Sequence, residues 1–210
     1  VAYTPLRSAP RLSLLITAIG ISFLLENGAQ LLFGADTKSM DVIVPGSVSF
    51  LGTTVSYAAI LTIVVTLLAM AALTFLVQRT RLGKAMRAVS EDMGAAELMG
   101  ISLNKTISFT FAVGSALAGI GSVLYLCAYP QASPTMGSML GLKAFVAAVL
   151  GGIGSIPGAM IGGFAIGLLE AVVTAVGLSV WKDGVVFAVL IVVLLCRPTG
   201  ILGHKATEKV

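Results

Sequence analysis

Two stretches of 37 residues, 42–78 and 106–142, contain no Asp, Glu, Lys or Arg, and a third of 26 residues, 144–169, follows them. Roughly a quarter of an ordinary soluble domain is charged. Gaps of this length are instead what a bilayer requires, with a hydrocarbon core about 30 Å thick that about 20 helical residues cross. Over the 210 residues only 10% are charged and 57% are apolar, which excludes a soluble globule, a disordered tail and a nucleic-acid binder. The crossing runs are read at 12–33, 57–77, 107–128 and 184–202. No alternation of polar and apolar residues recurs, so the expected fold class is all-α, a polytopic membrane helical bundle of about four to six spans.

The 13 Lys and Arg residues sort by loop. Arg7 and Arg11 flank the first run, Arg79, Arg81, Lys84, Arg87 and Lys105 fill the loop after the second, and Arg197, Lys205 and Lys209 follow the last. These regions are expected in the cytoplasm. The opposite loops carry Asp36, Lys38 and Asp41, then nothing between Tyr129 and Leu142, then Lys182 and Asp183. Passing from outside at Tyr129 to an inside C-terminus takes an odd number of crossings, so residues 140–202 hold three spans, or one span and a re-entrant segment. No signal-peptide pattern opens the chain. Cys127 and Cys196 lie in apolar runs and His204 stands alone, so neither a disulfide framework nor a metal site is expected.

Residues 143–169 hold seven glycines, at 151, 152, 154, 158, 162, 163 and 167, together with Pro157. A helix entering at Lys143 is therefore expected to break between Gly151 and Pro157, where irregular backbone is tolerated only if buried or lining a wet cavity. That makes Gly151, Gly152, Gly154 and Pro157 candidates for the translocation path. The four-residue spacings at 154, 158 and 162, and at 163 and 167, equally suit plain close packing of helices.

Enzymatic constellations are missing: there is no HExxH, no GxSxG elbow and no GxxxxGK[ST] phosphate loop, and no cofactor is expected. Glu26, with Asn27 and Gln30, lies within a span, where a carboxylate must face a cavity, a partner helix or a cation. These three are the polar candidates for the path. Lys143 is placed to pair with Glu26 or to snorkel to the interface, and Glu170 is expected near an interface.

The loop 79–105, RTRLGKAMRAVSEDMGAAELMGISLNK, has apolar positions Leu82, Met86, Val89, Met93 and Ala96 that step by 4, 3, 4 and 3. That spacing predicts one short amphipathic helix. A helix on the membrane surface would use its basic residues at headgroups, whereas one docked in a protein groove would also accommodate Glu91, Asp92 and Glu97. The acidic residues favour docking.

The runs RLGKAMRAVSEDMGAAELMGI, FAVGSALAG, SPTMG, GLKAFVAAVLGGIGSIPGAMIGG and RPTGILG occur in this order, and together they resemble the LivH-type permeases of bacterial branched-chain amino acid ABC importers. The resemblance covers nearly the whole chain. It implies one permease domain over 1–210 lacking the family's initial N-terminal spans, in keeping with a first residue that is Val1. It also implies a homologous second permease subunit, two cytosolic ATP-binding subunits and a periplasmic substrate-binding protein as partners in the inner membrane. ABC permeases carry an E-A-A-x-x-x-G coupling loop. Ala95, Ala96 and Gly100 match its later part, while Gly94 stands where the Glu would be. With Leu82, Gly83, Met86, Val89 and Met93, these residues are the expected contacts to an ATPase. The competing readings are a related permease for urea, amides or other amino acids, an ion-coupled secondary carrier, and, most remotely, an intramembrane enzyme.

Overall fold

The computed structural model describes residues 11–50, 53–152, 154–197, 199–200 and 202–203. Arg7, His204, Lys205 and Lys209 lie outside them. The long apolar runs are helices: α1 (Arg11–Phe33), α2 (Tyr57–Arg79), α5 (Leu103–Ala128), α7 (Ile156–Ala175) and α8 (Lys182–Cys196), the last preceded by a 3₁₀ turn, Ser179–Trp181. Among the described residues five segments are long and apolar enough to cross a membrane, counting that turn with α8. A sixth helix, α6 (Met136–Gly151), is apolar but shorter, about 24 Å at 1.5 Å per residue. Between α2 and α5 lie α3 (Arg81–Glu91) and α4 (Met93–Leu98). Large apolar side chains such as Leu24, Leu31, Leu68, Phe75 and Leu195 point outward, the arrangement expected where the surrounding solvent is hydrocarbon.

Among the described residues the region 140–202 contains three helices, of which α7 and α8 with its preceding turn are long enough to cross a membrane and α6 is shorter. The expected break is present, α6 ending at Gly151 and α7 starting at Ile156. The two helices pack as an antiparallel hairpin, in which Gly151 meets Gly158 while Gly162 meets Ala147. A Cβ at Gly151 or Gly162 would collide with the carbonyl of Gly158 or Ala147, so these glycines exist to let two backbones touch. Pro157 does not break a helix here. It sits in the first turn of α7, behind Ser155, whose hydroxyl accepts from the Gly158 N–H at 3.1 Å. A missing N–H is harmless there.

The core is formed by α6, α7 and α8. Val146, Ile166 and Val186, one from each helix, make the buried cluster, and Ala147, Leu169, Phe187 and Leu190 pack around it. α8 ends at Cys196, earlier than the run of apolar residues suggests. Arg197, the residue before Pro198, is already out of the helical region at φ −141° and ψ 87°, as a following proline demands. Beyond it the chain folds back on the α6–α7 turn: Leu202 donates its N–H to the Gly151 carbonyl at 3.0 Å, and Gly200 and Gly203 lie against Gly152 with no room for a Cβ.

Two small sheets tie the opposite connections. β1 (Lys38–Ser39) pairs antiparallel with β4 (Gln131–Ala132), linking the α1–α2 and α5–α6 loops. β2 (Ser47–Phe50) and β3 (Thr53–Ser56) form a hairpin leading into α2. The all-α expectation omits these strands, although SVSF alternates polar and apolar residues and a glycine separates it from TTVS in the sequence.

Candidate functional site

The loop 79–105 is two helices rather than one. Thr80 joins α2 to α3. Its hydroxyl donates to the Leu76 carbonyl and accepts from the Gly83 N–H at 3.0 Å, so one residue closes one helix and opens the next. Gly83 is buried with its Cα against the Leu76 and Val77 carbonyls, which sets how tightly α3 folds onto the end of α2. The apolar stripe then stops. Asp92 leaves helical geometry at φ −155°, and its carboxylate accepts from the Ala95 N–H at 3.0 Å, capping α4. Asp92 thus has a structural task that periodicity alone does not show.

The partial A-A-x-x-x-G match also has a local explanation. Gly100 follows α4 at φ +81°. It donates its N–H to the Glu97 carbonyl at 2.9 Å while Ile101 donates to the Ala96 carbonyl at 3.0 Å, the paired bonds of a Schellman cap, which favours glycine. Ala96 is buried, while Ala95 and Met93 are exposed. Met86 and Val89, expected on a free docking face, are half-buried against their own protein, and Leu82 is exposed. The freest apolar side chains at this loop are ones the spacing did not select: Leu98, 91% exposed, and Met99, 83% exposed.

Charged groups inside the bundle are brought together by three helices. Lys143 Nζ lies 2.8 Å from Glu170 Oε1 and 2.7 Å from Asp183 Oδ1. Each residue stands one helical turn from a member of the core: Lys143 before Val146, Glu170 after Ile166 and Asp183 before Val186. The triad therefore continues the seam of the apolar cluster. The side chains are 21% (Lys143), 25% (Glu170) and 32% (Asp183) exposed. Asp183 in the first turn of α8 suits the positive end of that helix, whereas Glu170, more than one turn before the end of α7 at Ala175, depends on the ammonium. Lys143 thus neither pairs with Glu26 nor opens a span, since it lies midway along α6.

Glu26 has a different partner, the hydroxyl of Ser138 in the first turn of α6, which donates to Oε2 at 2.9 Å and ties α1 to α6. Asn27 donates to the Phe23 carbonyl at 2.7 Å, and Gln30 is half-buried. Of the glycines named for the path, Gly151 and Gly152 are closed against backbone, whereas Gly154, at φ +92°, borders open space.

Space exists elsewhere. A groove of about 700 Å³ runs between α2, α5 and α7. Its walls include Ile63, Met70, Leu117 and Phe164, its polar groups are Thr62 and Thr66, and Gly163 and Gly167 form part of its floor. No charged side chain lines it. Among the described residues no group of three or more His, Cys, Asp and Glu could hold a metal ion.

Residues 3–194 match the family described as branched-chain amino acid transport system, permease component. The chain is similar over its whole length to the high-affinity branched-chain amino acid transport system permease protein BraD of Pseudomonas aeruginosa, with 47% identity over 70% of that protein. It is likewise similar to LivH of Escherichia coli, which carries the same description, with 45% identity over 70% of its length. The ribose import permease protein RbsC of Escherichia coli is 30% identical over 56% of this chain and 38% of its own. No solved structure matches the chain. A match over nearly every residue, on a polytopic helical bundle, places this protein in the branched-chain amino acid transport system permease family.

Proposed function

We propose that this chain is the permease subunit of an ABC importer, forming the path for branched-chain amino acids across the inner membrane while separate subunits hydrolyse ATP. The observation that carries the reading is its 45–47% identity, end to end, to permease proteins of high-affinity branched-chain amino acid transport systems. Its partners are then a homologous second permease, two cytosolic ATP-binding subunits and a periplasmic substrate-binding protein. The groove supports solutes of this class over urea or short amides, because its walls offer apolar surface and few hydrogen-bonding groups. An ion-coupled carrier is disfavoured, since it would need ionisable residues near the midplane of several helices, whereas Lys143 and Glu170 are held in the triad and Glu26 on α1 is left as the one candidate among the described spans.

Counting six crossings, from α1, α2, α5, α6, α7 and α8, brings the Arg11, Arg79 and Arg197 ends to one side. All Lys and Arg residues except Lys38, Lys143 and Lys182 then fall on that side or beyond it in sequence, which supports assigning loop 79–105 and the C-terminus to the cytoplasm. In intact cells an impermeant thiol reagent should modify Ser39→Cys and spare Ser90→Cys. Labelling of Ser90→Cys from outside would invert the topology.

On that side the surface offered to an ATPase is Leu82, Met93, Ala95 and the tip Leu98–Met99, with Gly83, Met86, Val89, Ala96 and Gly100 shaping it from beneath. The test is ATP-driven uptake of labelled leucine, isoleucine and valine by proteoliposomes holding the complete transporter. Absence of uptake of all three would refute the reading. In the same system Leu98→Asp with Met99→Asp puts charge where a partner groove excludes water, at a cost of several kcal/mol. It should reduce ATPase copurification by roughly tenfold or more. Both side chains are exposed, so the permease itself should insert and fold normally. Undiminished copurification would remove the tip from the coupling surface.

A further inference from the structure

We propose that Glu26 is the residue of the path that holds the ammonium group of the amino acid solute, with Gln30, one turn further along α1, receiving its carboxylate. This rests on the transport reading above and adds how the two charged ends of the solute are recognised. Glu26 lies within the crossing part of α1, seven residues before the end of that helix at Phe33, which is about 10 Å at 1.5 Å per residue. A carboxylate at such depth is expensive, and it is retained where it meets a cation, a partner or water.

The described residues supply Glu26 with no cation. Both ion pairs among them belong to Lys143, which is closed on Glu170 and Asp183 at 2.8 and 2.7 Å. Nor does the chain offer one nearby, since residues 12–37 contain neither Lys nor Arg. Glu26 has instead a neutral partner, the Ser138 hydroxyl, which donates to Oε2 at 2.9 Å. A carboxylate accepts about four hydrogen bonds on its two oxygens, so this one bond leaves Oε1 and most of the accepting capacity open. The group that complements it carries several N–H donors and a positive charge, as an ammonium does, and such charge-assisted bonds are roughly twice as strong as neutral ones. Asn27 is spent on the Phe23 carbonyl. Gln30, half-buried and four residues beyond Glu26, shares its face of the helix, and its amide N–H groups can donate to a carboxylate. Urea, a short amide and a sugar bring no positive charge to Glu26, so this pair would favour amino acids over all three.

The test uses the complete transporter with its binding protein, reading ATP-driven uptake of labelled leucine. Glu26→Gln keeps an acceptor for Ser138 and removes only the charge. It should depress uptake by roughly tenfold or more while the ATPases and second permease still copurify, and Glu26→Asp should retain more uptake than Glu26→Gln. In Gln30→Cys, where Glu26 is intact, an impermeant thiol reagent added from outside should react above the background set by Cys127 and Cys196. Leucine-loaded binding protein with ATP should slow that reaction relative to empty binding protein. Uptake at the parent level by Glu26→Gln would overturn the proposal while leaving the transport reading intact, as would a Gln30→Cys that never reacts or reacts equally with loaded and empty binding protein. Loss of the second permease from the Glu26→Gln complex would make the carboxylate a contact to that subunit and overturn it equally. A parent complex that imports none of leucine, isoleucine and valine would overturn both.

Discussion

Lys143→Met should lower the thermal midpoint of the detergent-solubilised chain well below that of the parent, with a loss of roughly 1–3 kcal/mol. A fully buried pair costs more to break, and the partial exposure of this triad discounts the figure. The change leaves Glu170 and Asp183 facing each other without a cation, and the oxygens that met Lys143 are shielded from water. Lys143→Glu should be worse and Lys143→Arg mild, because a guanidinium can still bridge two carboxylates. Combining Lys143→Met with Glu170→Gln and Asp183→Asn should recover most of the loss, since no uncompensated charge remains. If Lys143→Met and Lys143→Glu both melt with the parent, the triad does not hold the three helices together.

Gly162→Val is expected to have the larger effect. Overpacked substitutions in cores commonly cost 1–3 kcal/mol, occasionally more. Here the new side chain meets the Ala147 carbonyl, which is backbone and cannot rotate away. α6 and α7 must separate, and Val146 and Ile166 lose the contact that buries them with Val186. The chain should fail to accumulate as a monodisperse species on size-exclusion chromatography after membrane extraction. Its neighbour provides the control: Gly163→Ala adds a methyl to open space and should leave yield and elution unchanged. Equal yields for Gly162→Val and Gly163→Ala would remove the close α6–α7 seam.

The spans were legible because exclusion of charge from hydrocarbon acts on each residue independently, and the α6–α7 break was legible because clustered glycines weaken any helix wherever it lies. α6 itself was harder to see. Lys143 looked like the opening of a span, since a charge in mid-helix reads as a boundary unless its partners are known. Those partners come from 27 and 40 residues further along the chain, on two other helices. The loop 79–105 shows the converse. Its 4, 3, 4, 3 spacing continues through Asp92, but spacing carries periodicity and not capping, and the Asp92 carboxylate ends one helix to start another. Leu98 and Met99 fell outside the stripe for the same reason. The Schellman turn at Gly100 leaves them exposed at the capped end of a six-residue helix.

The fold-back of Gly200, Leu202 and Gly203 onto the α6–α7 turn bears on the order in which the protein is made. The Gly151 carbonyl, at the end of α6, is left without an intrahelical partner, and its hydrogen-bond donor, the Leu202 N–H, lies beyond α8. During synthesis this carbonyl therefore has no such partner from its own chain until Leu202 has been made. Closure of the corner thus requires that α6, α7 and α8 have all been made first. A reporter fused directly after Arg197 would keep the described helices and leave the Gly151 carbonyl without that donor.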